Sequence, residues 1–243
     1  MAIVTSKPYV PDTDALKLRE RLALALRVLH REGYNDHALG HATIRQPGTD
    51  YLWTNGSGID WKVIQPEDMV LIDWDKNVVH GRLTPNTAIG FHMRIYERRP
   101  DVQCIVHNHP MWGTAFSALG RPLRMLEQTS CIFFEDHAVH LEYGGIAFNE
   151  GQDMAIAGTL GDYRAAILRN HGVIIAAGSL EEAVTNSFYL ERTCRLNCLT
   201  AEWSGVHEIE PDVARLTHDQ YAKGGLAERT WHAMVETMNR LEA

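Results

Sequence analysis

The sequence predicts helices packed on a largely antiparallel β-sheet, an α+β arrangement. Two observations point there. Short apolar runs bounded by turn residues are interspersed with helix-period segments, and several of those runs are joined by hairpin-type turns. The alternation is too irregular for a Rossmann or barrel reading, and neither a G-x-G-x-x-G nor a P-loop pattern occurs. With 243 residues and no internal repeat, low-complexity stretch or long linker, the chain reads as one domain over 1–243.

Taken in order, residues 12–32 form an amphipathic helix with Leu18, Leu22, Ala25 and Leu29 at helical spacing and Gly33 as the stop. Strands follow at 41–45, 51–54, 69–73 and 78–80, with a hairpin turn at 75–77. A second helix starts at Thr87 as N-cap and ends before Pro100. The apolar strand 104–106 runs into His107-Asn108-His109-Pro110, and a helix begins at Met111. Strands are expected near 132–134 and 138–141, and a helix over 151–160. The strand 165–168 leads into Arg169-Asn170-His171-Gly172 and a further strand at 173–176. A long helix covers 180–202, residues 204–224 are polar and Gly-containing, and a last helix covers 226–241.

The charge is mildly acidic, −8 from 23 basic and 31 acidic residues, and no Lys/Arg-rich stretch is present to neutralise phosphates. That argues against nucleic acid and anionic membrane as partners. The opening MAIVTSKPYVPDTD lacks the apolar region of a signal peptide and no 18-residue apolar run occurs, so a cytoplasmic protein is expected. Cys104, Cys131, Cys194 and Cys198 have no CxxC spacing and read as free thiols, the last two as small half-buried residues one helical turn apart. Thirteen histidines direct attention to metal or acid–base chemistry.

His107 and His109 stand two apart on an extended segment, so both imidazoles point to one face. Pro110 ends the strand and places the pair at a sheet edge or mouth. His171 sits at the end of another apolar strand, before Gly172, where the backbone can turn tightly. Together they offer three neutral nitrogen ligands, a set that suits Zn²⁺, Fe²⁺, Mn²⁺ or Co²⁺ and leaves positions for substrate. Zn²⁺ is the first expectation.

The runs PDVQCIVHNHPMWGTAFSALG (100–120) and AILRNHGVIIAAGSLEEAVTNSFYLERTCR (166–195), with TNGSGIDWKVIQPEDMVLIDWDKNVVHGRLTP (54–85) upstream, resemble the class II aldolase/adducin family. The likeness covers roughly residues 14–203, leaving a C-terminal tail and helix over 204–243. It implies a three-layer α/β/α fold with a largely antiparallel central sheet and a homotetramer with active sites near subunit contacts. It further implies a catalytic metal on His107, His109 and His171, and a small-molecule substrate.

The chain departs from that family in one informative place. The aldolases carry Ser-Ser-Glu after the proline before the second helix, and their Glu is acid–base and metal ligand; here Pro85-Asn86-Thr87-Ala88 stands there, so the carboxylate position is Ala88. A positioned general base contributes roughly 10²–10⁴ in rate, or about 2.7–5.5 kcal/mol. The family's phosphate loops read Gly40-His41-Ala42-Thr43 and Asn55-Gly56-Ser57-Gly58. His41, Asn55, Ser57, Gly58, Asn86 and Thr87 are the candidate substrate-binding residues, for a carboxylate or neutral substrate as readily as a sugar phosphate. Tyr143 matches a family tyrosine that donates a proton from a neighbouring subunit. His92, one turn beyond Ala88, is assigned a packed structural role.

Three functions fit. A metal-dependent lyase acting on a 2-oxo or hydroxycarbonyl substrate through a stabilised enediolate comes first. Second is an Fe²⁺ oxygenase, because NTAIGFHMRIYERRPDVQCIVH resembles an adducin-like bacterial branch close to an iron enzyme that oxidatively decarboxylates aryl-pyruvates. A non-catalytic scaffold of the adducin kind comes third, since the animal adducins have lost the metal ligands that are present here.

Overall fold

The computed structural model describes residues 10–146 and 149–242. Helix α1 (Thr13–Arg31) starts where the Asp12 carboxylate accepts from Ala15 N at 2.8 Å, and it buries Leu22, Leu26 and Leu29. Its stop is Gly33, at φ +83°, a left-handed conformation that glycine adopts without strain. Strands β1 (His41–Arg45), β2 (Leu52–Asn55), β3 (Met69–Ile72) and β4 (Val78–His80) form an antiparallel meander. After them come α2 (Gly90–Arg98), β5 (Cys104–Asn108), α3 (Met111–Ser117), β6 (His137–His140) and α4 (Glu150–Leu160). The chain closes with β7 (Ala165–Leu168), β8 (Gly172–Ala177), α5 (Leu180–Leu199), α6 (Pro211–Lys223) and α7 (Leu226–Glu242).

The eight strands lie in the order β4-β3-β2-β1-β5-β8-β7-β6, antiparallel throughout except for β6 with β7. Side chains alternate across this sheet and split the core in two. Val106, Val173 and Ile175 pack with Leu22, Phe116 and Leu190 under the layer of α1, α3, α5 and α7. Ile105 and Ile174 pack with Phe91, Ile95 and Leu160 under α2 and α4. Three α/β/α layers result, as expected. No helix among the described residues is long and apolar enough to cross a membrane.

Several local expectations need correction. The strand expected near 132–134 is a 3-10 turn, Gln128–Phe133. Its apolar residues are buried, but Glu127 accepts from Thr129 N and donates its own N–H to Ser130 Oγ, and this capping box turns the chain into a coil. Asn86, rather than Thr87, caps the second helix: its Oδ1 accepts from Ala88 N at 2.9 Å, and a 3-10 turn at Thr87–Ile89 precedes α2. The long helix ends at Leu199, three residues early. The polar stretch 204–224 contains α6, which starts on Pro211 and fully buries only Ala214, so its composition concealed a helix. Finally, β5 lies between β1 and β8 in the middle of the sheet, so His107 is at a strand end but not at a sheet edge. The first nine residues, on which part of the reading of the opening segment rested, lie outside the described residues.

Candidate metal centre

The centre forms where β5 ends and β7 turns into β8. His107, 1 % exposed, lies opposite Ile174 in the β5–β8 register, and its Nδ1 donates to Val173 O at 3.0 Å. That bond puts the ring proton on Nδ1 and leaves Nε2 as a bare ligand nitrogen. His109 follows the strand. Asn108 fixes it from behind, with Oδ1 accepting from His109 N at 2.9 Å and Nδ2 donating to Tyr34 O at 2.8 Å. The Asp36 carboxylate accepts from His109 Nδ1, which turns Nε2 inward, where it is buried without a hydrogen-bond partner. A buried imidazole nitrogen without a hydrogen-bond partner, facing two other imidazoles, is available as a metal ligand.

His171 arrives from the turn between β7 and β8. Its N–H donates to Leu168 O at 3.0 Å, and Asn170 takes a left-handed φ of +57° to make the corner. Gly172 completes it. A Cβ there would stand 2.5 Å from Asn108 O and 2.6 Å from His109 Cδ2, so only glycine lets the two ligand-bearing segments approach. The ligand atoms of His107, His109 and His171 all lie within 4.8 Å of one another, with ring centroids 4.8–4.9 Å apart.

Burial, reinforced by His109 and His140, pulls the His171 imidazole down to about 4, and burial with His41 alongside holds His107 well below its ordinary value. Both are therefore neutral at pH 7, the form that coordinates metal. Burial by itself raises the Asp36 carboxyl, but its bond to His109 and the backbone N–H groups of Gly40 and Leu39 outweigh that and hold it below the usual range. The result is a carboxylate–histidine pair poised behind the ligand nitrogen. Three neutral nitrogen donors with anchored rings fit a divalent transition ion.

The other expected site residues are placed unevenly. His41 pairs with His107 across β1 and β5 and packs its ring, tilted, between His107 (5.0 Å) and His92 (4.7 Å), but it is only 1 % exposed. His92 is packed, with Nδ1 on Thr43 Oγ1 at 2.8 Å. Asn55 uses both ends of its amide on the start of β1, accepting from Ala42 N and donating to Gly40 O. Asn86 likewise holds Ala88 N and Leu39 O. Ser57, Gly58 and Thr87 are exposed. Ala88 is half-buried against the α2–α4 core, and no carboxylate among the described residues joins the three imidazoles. Tyr143 lines a small cavity with His140, Arg169 and its own chain's His171.

Sequence reasoning missed Asp36, Glu191 and Arg169. Glu191 accepts from Trp112 N and Gly113 N and so pins the start of α3 just beyond His109. Asp36 and His109 are 73 residues apart, and no spacing rule links them. Arg169 was legible as a neighbour of His171 but carried no chemical signal of its own.

The profile described as Class II Aldolase and Adducin N-terminal domain matches residues 20–198. A 4-hydroxy-3-prenylphenylpyruvate oxygenase/4-hydroxy-3-prenylbenzoate synthase of Streptomyces roseochromogenus subsp. oscitans is 35% identical over 88% of this chain and 79% of its own length. The decarboxylase NovR of Streptomyces niveus is 34% identical over 88% of this chain and 82% of its own length. Among solved structures, an L-fuculose 1-phosphate aldolase from Glaciozyma antarctica superposes with a TM-score of 0.85 at 27% identity, covering 98% of this chain and 95% of its own.

Proposed function

Because the chain belongs to the class II aldolase and adducin family, we propose that it is a divalent-metal-dependent enzyme that oxidatively decarboxylates a small 2-oxo acid. The observation that carries this is the composition of the centre: three imidazoles, with alanine at position 88 and no carboxylate among the described residues joining them in the ligand group. An aldolase reaction without that base forgoes roughly 10²–10⁴ in rate. Oxidative decarboxylation needs no such base, because loss of CO₂ supplies the electron pair that a base would otherwise release by deprotonation. The relative named as an oxygenase, at 35% identity, supports placing the oxidative reaction ahead of the lyase, while the relative named as a decarboxylase, at 34%, is compatible with both.

His107, His109 and His171 would hold a divalent ion, and Fe²⁺ bound there would supply redox chemistry toward O₂ that Zn²⁺ lacks. The protein's own part is orientation. Val173 O and Asp36 fix the rings of His107 and His109, and the packed His41, His92 and Phe91 close the floor behind them. Without an added reductant both oxygen atoms must end in products. A substrate R–CH₂–CO–COO⁻ and O₂ then give R–CH(OH)–COO⁻ and CO₂, with one atom entering the new carboxylate and the other the neighbouring carbon.

One observation favours a second reading. Tyr143 lines the cavity beside His171, where a phenol can protonate the carbon left by non-oxidative CO₂ loss. The assembly we propose is a homotetramer, consistent with the groove along α3 and α5 in which Met111, Phe188 and Leu199 lie beside Glu32, Arg192 and Arg195. A panel of 2-oxo acids and hydroxycarbonyl phosphates, assayed in air and under nitrogen on iron-loaded protein, tests the reaction. CO₂ release with matching O₂ uptake from a 2-oxo acid is expected. Full-rate cleavage under nitrogen would replace this reading with the lyase.

A further inference from the structure

Arg169 stands two residues before His171, at the exit of β7, and lines the same small cavity. Its backbone N–H donates to His140 O at 2.9 Å, which ties the residue to the end of β6. Its stem lies against Gly120, whose φ is +58° and whose absent Cβ would come within 3.1 Å of Arg169 Cδ, so the fold keeps room for this side chain. Nε is buried and has no hydrogen-bond partner among the described residues. Glu142 lines the cavity too, yet makes no ion pair with Arg169 there. A guanidinium whose Nε is buried without a partner, in a cavity it shares with Glu142 but without an ion pair to it, can take an anion from outside the chain.

We propose that Arg169 is the residue that holds the substrate's carboxylate and so makes the centre selective for 2-oxo acids over neutral carbonyl compounds. The proposal rests on the decarboxylase reading above. The size of the space supports a carboxylate. The cavity that Arg169 shares with His171 measures about 30 Å³, room for a small group, and His140, Glu142, Tyr143 and Gln152 line both it and a neighbouring cavity of about 530 Å³. A 2-oxo acid matches that shape: its charge sits one bond from the keto carbon, so a head group at Arg169 keeps the reacting carbon beside His171 while the remainder extends outward. Planar guanidinium and planar carboxylate pair through two parallel N–H···O bonds, a geometry that lysine does not reproduce.

The test is equilibrium binding of phenylpyruvate and of its neutral counterpart phenylacetone to metal-loaded protein without oxygen. Wild type, Arg169→Met and Arg169→Lys are compared, with metal content measured in each. Arg169→Met is expected to weaken phenylpyruvate about 10- to 100-fold, the range for a charged hydrogen-bonded contact, while phenylacetone binding and metal content stay unchanged. Arg169→Lys should recover part of the loss. Equal phenylpyruvate affinity in wild type and Arg169→Met overturns the assignment and leaves the decarboxylase reading standing. Parallel loss of both probes, or of metal, also overturns it, by making Arg169 structural. A wild-type protein that binds no 2-oxo acid removes the decarboxylase reading, and this proposal with it.

Discussion

At His109 the ring nitrogen that faces away from the cluster bonds to the Asp36 carboxylate, and that bond decides how firmly the other nitrogen is presented. Replacing Asp36 by Asn should lower metal affinity about 10- to 100-fold in a chelator competition, with far-ultraviolet circular dichroism unchanged; unaltered affinity would demote Asp36 to a loop residue. His171→Ala should take bound metal well below one ion per chain, and full occupancy in that variant would remove the three-histidine assignment. Protonation gives a further prediction. Burial brings His41 down to about 4 from an ordinary value near 6.5, so between those pH values the unfolded chain takes up the proton first. Stability of the metal-free protein is therefore undiminished by His41 above pH 6.5 and declines as pH falls toward 4. At ~1.4 kcal/mol per pKa unit the loss is on the order of 3 kcal/mol. Urea melts of wild type and His41→Gln across that window should show a shallower pH slope in the variant, and identical slopes would contradict the account. At this scale the ligands were readable because His107 and His109 stand two apart at one strand end and His171 at another, in runs that resemble the family's. Their supports were not, because Asp36 and Val173 O reach the rings only through tertiary contact.

The β7–β8 corner shows how an element carries chemistry. Strand 165–168 was legible to the residue, since an unbroken apolar run bounded by Arg164 and Arg169 fits a strand buried on both faces. What periodicity could not convey is that Gly172 must let Asn108 and His109 approach from β5. Gly172→Ala should accordingly drive the His109 ring away from its partners, lowering both melting temperature and metal occupancy. Loss of stability with full occupancy would show that the close approach serves packing alone. The same limit explains the misread turn at 128–133: Cys131, Ile132 and Phe133 are as apolar as a strand, and the capping by Glu127 and Ser130 that overrides this lies in side chains outside the run. In α6 the error ran the other way, because its inward face is carried by Ala214, His218 and Tyr221, small or polar-tipped residues that do not read as an apolar run.

For the molecule as a whole, the sheet brings the ends of β5 and β7 together at one rim, and the layer of α2 and α4 covers the face on which His107 and His41 lie. The three-layer arrangement was legible only through the resemblance of the HNHP and RNHG runs to a family. The residues alone gave a mostly antiparallel sheet with helices and no order of strands. Light scattering at micromolar concentration should give the mass of a tetramer, and a monomer would leave the groove along α3 and α5 without its proposed partner. The central claim, that a centre of three imidazoles with no carboxylate among the described residues in its ligand group oxidatively decarboxylates a 2-oxo acid, is tested most directly by isotopic labelling. Iron-loaded protein would be given phenylpyruvate under isotopically labelled dioxygen and the product weighed by mass spectrometry. A 2-hydroxy acid carrying two heavy oxygens, one in its carboxylate and one in its hydroxyl, is the predicted result; CO₂ release into a product carrying none would contradict it.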